Sequence, residues 1–244
     1  MRGRGGFLGF NRDTDNREYS GIWRLGEAYS LAKDGQWSDN LERWNYNPMG
    51  NFSTQTGPWT NSSTVIAQNG ASYTTQGRAI SDAGQKALQG NWNLDWQLNR
   101  YQSNSSPFPG WDTMLTRGTL SNIQSNRTNK ALFSIYFGNN EGTYFYVFDG
   151  NGTTLYNTGD ISSTTAEASA GTAWRVSYNS GTGTFTVFVN TRGAFTGMTQ
   201  KATYTLSASE KSDLETNYLT TDWYIGMAGR GGSDGNRNMS WEAT

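Results

Sequence analysis

The feature that most constrains the fold is a strict alternation of apolar and polar residues over residues 91–98. Every second residue of the segment NWNLDWQL is Trp or Leu, and the residues between are Asn, Asp or Gln. Side chains of a β-strand point alternately to opposite faces, so this pattern predicts a half-buried antiparallel strand. We expect one set to be buried, namely Trp92, Leu94, Trp96 and Leu98. We expect the other set to face solvent, namely Asn93, Asp95 and Gln97.

The same period of two recurs along the rest of the chain from about residue 61. The segments that show it are residues 131–137, 143–148, 153–156, 174–178, 185–189, 223–227 and 239–241. Turn-forming sequences such as GNNEG, DGNG and NSGTG join them, and 30 Gly but only 4 Pro occur in the 244 residues. Short alternating segments joined by Gly/Asn turns are typical of an all-β antiparallel sandwich or jelly roll. No helical pattern is found in residues 61–244.

The N-terminal quarter has a different character. Residues 1–20 are rich in Gly, Arg, Asn and Asp without any hydrophobic period, which indicates an extended arm that is either a solvated terminus or a segment that orders against a partner. Residues 21–37 predict one short helix, because Leu25, Ala28, Tyr29 and Ala32 follow helical spacing. We therefore divide the chain into an arm with a short helix (1–37), a connector (38–60) and a β-sandwich (61–244).

Composition excludes several function classes. The chain has no His and no Cys, so imidazole-based catalysis, zinc–thiolate sites and disulfides are excluded. Its 19 basic and 20 acidic residues give a net charge of −1, whereas a general nucleic-acid binder carries a positive excess. Mean hydropathy is −0.73, yet ten Trp, 13 Tyr and 11 Phe argue against disorder. We predict a soluble chain without a cofactor, a nucleic-acid partner or membrane insertion.

Paired carboxylates are the remaining route to catalysis in a β-sandwich, as in glycoside hydrolysis. Two carboxylates on one strand face need a spacing of two residues. This spacing occurs at Asp13/Asp15 in the arm and at Asp213/Glu215, in a segment that resembles a loop or a single helical turn, but not on the aromatic strands. We therefore predict that the protein is not an enzyme.

Two segments alternate oxygen-bearing side chains as the start of a calcium loop does. They are Asp149, Asn151, Thr153 and Asp234, Asn236, Asn238. Neither has the closing bidentate Glu, and DGNG between two strands favours a hairpin turn that needs positive φ. Asp149 and Asn151 are therefore only weak calcium candidates, and we predict no resident metal.

A glycan site is the other open possibility, because sugars bind to aromatic rings together with Asn, Asp, Gln and Arg side chains. Trp111 follows the Pro/Gly-rich stretch SSPFPG, so it lies either on an exposed loop or over the core of the sandwich, and the core position is favoured. Candidate glycan contacts are Trp111, Asp112, Arg230 and Asp234.

The segment SGIWRLGEAYSLAKDGQW, from Ser20 to Trp37, is similar to a stretch found in virion structural proteins of tailed phages. The matching positions are Ser20, Gly21, Ile22, Trp23, Leu25, Glu27, Tyr29, Gly35 and Trp37. The family stretch often ends in Trp-Pro, whereas Ser38 follows Trp37 here. The resemblance implies a component of a phage particle.

A second resemblance covers roughly residues 60–244. The order of WNLDWQLNR, KALFSIYFG, TYFYVFDGNG, AWRVSYNSGTGTFTVFVN and WYIGMAGRGG resembles a concanavalin-like sandwich of the laminin G or legume-lectin type. Laminarinase-type hydrolases share this fold, but their Glu-x-Asp-x-Glu signature is absent. Legume lectins have a His in their paired-metal site, and this chain has none. The resemblance implies fold more than activity.

Together these observations predict a phage virion structural protein: a capsid decoration protein, a tail accessory protein or a small fibre, located on the particle surface or tail. Its arm would attach to other virion proteins or to copies of itself through large apolar residues, namely Phe7, Phe10, Ile22, Trp23, Leu25, Tyr29 and Trp37. The alternative is a glycan-binding adhesin module that recognises a host surface.

Overall fold

The computed structural model describes a set of segments between residue 52 and the C-terminal residue 244. They are residues 52, 54–56, 59–61, 65–68, 77–82, 84–100, 110–119, 123, 130–138, 142–161, 171–229 and 235–244. The predicted arm and helix (1–37) lie outside the described residues, as do all seven attachment residues proposed for them.

The first of two sheets has seven antiparallel strands. In spatial order they are β1 (Thr54–Thr56), β4 (Gly77–Ile80), β13 (Tyr224–Gly229), β6 (Gly110–Thr116), β7 (Ala131–Gly138), β8 (Gly142–Phe148) and β9 (Thr154–Asp160). Strands β6 to β9 follow one another as a meander.

The second sheet also has seven antiparallel strands. In spatial order they are β12 (Thr199–Thr205), β11 (Thr184–Asn190), β10 (Ala173–Asn179), β5 (Trp92–Arg100), β14 (Gly235–Ala243), β3 (Val65–Gln68) and β2 (Trp59–Asn61). The C-terminal strand β14 thus lies in the interior of the sheet. The all-β antiparallel sandwich predicted from the period of two is confirmed.

The core lies between the sheets and consists of the inward residue of each alternating pair. Trp92, Leu94, Trp96 and Leu98 of β5 are all buried, as predicted. The same core cluster includes residues of the first sheet, namely Phe133, Ile135, Phe137, Phe145 and Val147. The indole of Trp92 stacks on Trp241, with ring centroids 4.3 Å apart. Aromatic residues supply much of this core, which explains how a chain of such low mean hydropathy folds.

The outward set of β5 differs from the prediction at one position. Asn93 and Gln97 are partly exposed, but Asp95 is buried at 6% relative exposure. Arg175 on the neighbouring strand β10 covers it, donating from Nε and Nη2 to the two carboxylate oxygens at 2.6 Å each. The carboxylate points away from the core as expected, and its bidentate partner removes it from water.

The sandwich contains a helix that the sequence analysis did not predict, α1 (Ala208–Tyr218). A capping box begins it: the Ser207 side chain accepts a hydrogen bond from the Glu210 amide, and the Glu210 carboxylate accepts one from the Ser207 amide. Leu214 is its buried residue, so no apolar series at helical spacing marks it in the sequence. Among the described residues, no helix is long and apolar enough to span a bilayer.

The predicted connector (38–60) also needs a correction. Its last residues form β1 and most of β2, which are edge strands of the first and the second sheet. Strands of three residues are too short to show a period, and their hydrogen-bonding partners lie elsewhere in the chain. The sandwich therefore begins before residue 61.

Candidate functional site

The outer face of the first sheet carries a row of aromatic rings. Phe and aliphatic residues of strands β7 and β8 point toward the core, so the residues that alternate with them along each strand point outward. These outward residues include Tyr136 on β7 and Tyr144, Tyr146 and Phe148 on β8. Successive ring centroids along this tyrosine row, from Tyr136 to Phe148, lie 6.2, 6.2 and 6.0 Å apart. The row is a continuous line of rings across two strands, and Phe148 at its end is buried at 1% exposure.

The rings of the row differ in exposure. Tyr144 and Tyr146 are partly exposed, whereas Tyr136 retains only 5% of its surface. Tyr136 lies against the backbone of Gly110 on β6, where an added Cβ would be 2.3 Å from the ring. The glycine thus permits a close approach of ring to backbone, which holds Tyr136 flat against the sheet. The two partly exposed rings are the accessible part of the row.

Polar side chains lie beside Tyr136 and Tyr144. The register places Asp112, Tyr136, Tyr144 and Asp160 side by side on four neighbouring strands. The Asp160 carboxylate is exposed at the β9 edge and accepts a hydrogen bond of 2.8 Å from the Thr143 amide. An aromatic surface beside exposed hydrogen-bonding groups can hold a ligand that has both apolar and hydroxyl faces.

The β9 edge adds an amide to this surface. Asn157 is exposed and lies opposite Tyr146 in the register. Its Oδ1 accepts a hydrogen bond of 3.0 Å from the Gly159 amide, so the orientation of the side-chain amide is defined. Gly142, the first residue of β8, has a φ of +93°, and a Cβ there would be 2.1 Å from the Asp160 carboxyl carbon. Only glycine allows this carboxylate to fold over the strand end.

Of the four sequence-predicted glycan contacts, only Trp111 and Asp112 lie among the described residues, and both are buried. Asp112 is buried at 1% exposure on the outer face and accepts a hydrogen bond of 2.6 Å from Ser134. It therefore lies beneath the surface beside the tyrosine row. Arg230 and Asp234 lie outside the described residues. The tyrosine row itself was missed, although the alternation of Phe and Tyr in SIYFG and TYFYVF carries its signal.

Trp111 is part of the core, the second of its two predicted positions, and the exposed-loop alternative is wrong. Its indole is fully buried, and its Nε1 donates to Asn236 Oδ1 at 3.1 Å. The Asn236 amide in turn donates to Thr113 Oγ1 at 2.8 Å. This buried asparagine joins β14 of the second sheet to β6 of the first. A buried polar group that satisfies two partners in this way specifies how the sheets face each other.

The weak calcium candidates are used by a hairpin turn between β8 and β9. Asp149 Oδ1 accepts hydrogen bonds from the amides of Asn151 and Thr153 at 2.8 and 2.9 Å. Burial opposes ionisation of Asp149, but these hydrogen bonds outweigh it and lower its pKa. Asn151 Oδ1 accepts from Arg117 at 2.6 Å, and Arg117 also donates to the Gly150 carbonyl at 2.9 Å. A guanidinium therefore holds the turn that DGNG predicts.

Other acidic candidates are also accounted for. Asp213 and Glu215 lie on α1, where residues two apart do not share a face, and Glu215 pairs with Lys211 one turn away. Within the described segments, no three acidic residues lie close enough together to hold a metal ion.

The chain was compared with known proteins. No protein-family model matches it, and no curated protein matches it in sequence. Among solved structures, the exoplasmic/lumenal domain of VIP36 in its Ca²⁺/Man3GlcNAc-bound form has a TM-score of 0.54 at 13% identity, covering 81% of this chain and 87% of that one. The legume lectin-like domain from Entamoeba histolytica has a TM-score of 0.53 at 11% identity, with 80% and 90% covered.

A plant lectin extends the comparison. The lectin from Bauhinia forficata in complex with GalNAc has a TM-score of 0.52 at 14% identity, covering 82% of this chain and 95% of that one. At such identities the likeness concerns the fold and not the binding residues. The described part of the chain is therefore a concanavalin-like antiparallel β-sandwich of the legume-lectin type.

Proposed function

We propose that the sandwich is a glycan-binding module and that Tyr144 and Tyr146 form the centre of its binding face. The observation that carries this proposal is the tyrosine row, with two partly exposed rings beside the exposed Asp160 and Asn157. A sugar ring has an apolar C–H face that packs on an aromatic ring and a rim of hydroxyls that bind carboxylates and amides. The tyrosine rings and the polar side chains opposite them on β9 offer both kinds of contact side by side.

The structural neighbours support this class of ligand. VIP36 was solved with mannose-containing ligands, and the Bauhinia forficata lectin with GalNAc. The residues of the proposal come from this chain alone, because the identity to those proteins is too low to transfer a site. A near-neutral chain with 16% charged residues also suits an uncharged ligand. This ligand class favours the glycan-binding alternative of the sequence analysis over a purely structural role.

The proposed role is binding without catalysis. Asp213 and Glu215, the one carboxylate pair at the required spacing inside the sandwich, do not share a helix face. Asp112 and Asp160 are aligned across strands β6 to β9, but two tyrosines lie between them and Asp112 is buried. They therefore do not form a carboxylate pair. We therefore expect no cleavage of a bound glycan by the purified protein.

A glycan array tests the proposal. We expect the full chain to bind a subset of immobilised glycans saturably, and the double variant Tyr144→Ala/Tyr146→Ala to bind the same glycans roughly tenfold or more weakly. The conservative variant Tyr144→Phe/Tyr146→Phe keeps the rings and should retain most of the affinity. Phe188→Ala removes a partly exposed aromatic residue from the second sheet and is the matched control. Absence of binding by the wild type, or equal binding by the Ala double variant, would contradict the proposal.

We also propose, on the resemblance of Ser20–Trp37 alone, that the N-terminal arm attaches the module to a phage particle. Its apolar residues, with Trp23 and Trp37 as anchors, would be buried against another virion protein or a second copy. Deleting residues 1–37 should then abolish incorporation into particles, while the remaining domain keeps a cooperative thermal transition. Normal incorporation of the truncated protein would refute the attachment role without affecting the glycan proposal.

A further inference from the structure

The outer face of the second sheet carries mainly amides and hydroxyls, and Phe188 on β11 is a partly exposed aromatic ring on this face. Two polar rows cross its strands in register. The first row is Asn93, Ser177, Thr186 and Thr203, and the second is Asn179, Thr184 and Thr205.

A groove of about 330 Å³ lies where these rows approach β5. Its volume is at the small end of the range for ligand pockets. We call it the amide groove, and its principal side chains are Asn91, Asn93, Asn179, Ser177, Thr184 and Thr186.

The amides of Asn91 and Asn179 have defined orientations. Asn91 Oδ1 accepts a hydrogen bond from the Ser180 backbone amide at 2.9 Å, and Asn179 Oδ1 accepts one from the Thr182 backbone amide at 3.1 Å. A backbone amide can only donate, so the atom that it meets must be the side-chain oxygen. The Nδ2 group of each asparagine is therefore directed away from these contacts, and no described residue accepts a hydrogen bond from it.

Asn93 bonds to a hydroxyl instead of a backbone amide. Its Oδ1 accepts a hydrogen bond of 2.5 Å from the Ser177 hydroxyl, which leaves its Nδ2 group without an acceptor among the described residues. Asn93 is also partly buried, as is Asn91. Partly buried amide donors without acceptors cost free energy unless water or a ligand accepts from them. Three asparagines thus present N–H donors to one groove.

The charge around the groove restricts its ligand. All the described side chains that line it are uncharged, and the exposed carboxylate of Glu242 lies opposite Asn93 in the register. Arg175 lies near Glu242 and partly offsets its charge, but no cationic side chain among the described residues lines the groove itself, so a phosphate or uronic acid finds no ion-pair partner there. The threonine hydroxyls already bond to one another, with Thr184 Oγ1 and Thr205 Oγ1 2.9 Å apart. The ligand that fits is uncharged and rich in oxygen acceptors.

We propose that the amide groove is a second site of the molecule that binds an uncharged saccharide through the side-chain amides of Asn91, Asn93 and Asn179. The site lies on the opposite sheet from the tyrosine row and uses no aromatic stacking. It stands whether or not the tyrosine row binds a glycan. Two sites on opposite outer faces would allow one domain to bridge two glycan chains.

The experiment is a titration of the ¹⁵N-labelled full chain, observed through the side-chain amide signals of its asparagines. The probes are maltotriose, mannotriose and lactose as uncharged saccharides and galacturonic acid as the anionic control. We expect at least one uncharged probe to shift the Asn91, Asn93 and Asn179 signals together and saturably, and galacturonic acid to leave them unmoved. If none of the three uncharged probes shifts these signals, or only galacturonic acid does, the proposal is wrong.

Variants then assign the binding to the amides. Asn91→Asp/Asn93→Asp/Asn179→Asp keeps the three internal acceptors and removes the three donors, so we expect roughly tenfold or more weaker binding with the fold retained. Gln200→Glu makes the same amide-to-acid change on exposed β12 outside the groove and should leave binding intact.

Two further variants distinguish binding in the groove from binding at the tyrosine row and from a loss of folding. Tyr144→Ala/Tyr146→Ala should leave the three asparagine shifts intact, because the groove does not include the tyrosine row. Loss of the shifts in that variant would overturn the proposal of an independent site. If the triple variant does not fold, Asn179→Asp alone replaces it, since Asn179 is exposed. Wild-type affinity in the folded Asp variant would also overturn the proposal.

Discussion

The outer faces of the two sheets share one core but are built in different ways. The first face is held by rings that pack on each other and on backbone, as Tyr136 packs on Gly110. The second face is held by side-chain hydrogen bonds and by the bidentate pair of Asp95 and Arg175. Tyr and Thr are both good strand formers, so either set is compatible with the same backbone. The outward residues are therefore available to determine ligand chemistry without altering the fold.

The largest effect should come from the core that both faces share. Trp96 is fully buried and lies opposite Trp174 in the register, so Trp96→Ala should lower the free energy of unfolding by about 3–5 kcal/mol. The backbone amide signals of Tyr144 and Tyr146 report the tyrosine-rich face, and the asparagine side-chain signals report the amide face. Both probes should lose their native signals in one transition. Two separate transitions would mean that the faces fold independently.

The next effect should be specific to the second face. Arg175→Met leaves the Asp95 carboxylate without its partner, although that side chain is only 8% exposed. We expect a loss of about 2–3 kcal/mol, measured by urea unfolding. The double variant Asp95→Asn/Arg175→Met removes the unpaired charge and should recover much of this loss. A negligible change in Arg175→Met would show that the ion pair does not hold this face together.

The corresponding test of the first face is Gly110→Ala. An added Cβ would lie 2.3 Å from the Tyr136 ring, so the ring has to move off the sheet. We expect a loss of about 1–3 kcal/mol, with weaker glycan binding where the row is disturbed. Tyr136→Leu in the same chain shortens the clashing side chain and should restore stability but not binding. Unchanged stability of Gly110→Ala would mean that the row is not packed against the backbone.

The smallest effect concerns the hydroxyl pairs of the second face. Thr184→Val/Thr205→Val removes both partners of a hydroxyl contact of 2.9 Å and keeps the branched shape. The Thr182 hydroxyl, which also donates to Thr184, is exposed and can bond to water instead, so we expect a change within about 0.5 kcal/mol. A Thr184→Val single variant is the control. A loss above about 1 kcal/mol in the free energy of unfolding of the double variant would contradict this expectation and show that the hydroxyl contact itself stabilises the second face.

Elements whose signal lies within one segment were predictable. The β5 strand could be read from its alternation because inward and outward residues follow one another along a single stretch. The DGNG turn was predictable for the same reason, since its hydrogen bonds join residues within five positions. The helix α1 was not, because one buried residue leaves no apolar period. The edge strands β1 and β2 were not, because their three residues each depend on pairing with distant segments.

The candidate sites show where prediction from sequence stops. Aromatic and amide content indicated sugar contacts, but the residues singled out for them, Trp111 and Asp112, are buried. Whether a Trp after a Pro/Gly-rich stretch is exposed depends on what covers it, and here Asn236, 125 residues away, accepts from its indole. The tyrosine row and the amide groove depend on register between strands, which a single strand's sequence does not specify.

The sequence by itself determined the period of two, the inward residues and hence an antiparallel sandwich, because alternation along a strand is a local property of the backbone. Tertiary structure decided which outward residues become neighbours. Register brings Tyr136 beside Tyr144 on one face and Asn93 beside Ser177 on the other, over separations that the local pattern cannot encode. It also decided that Asp95 is buried, since the burial comes from an arginine 80 residues away. Local periodicity specified the fold, and long-range pairing assembled its surfaces.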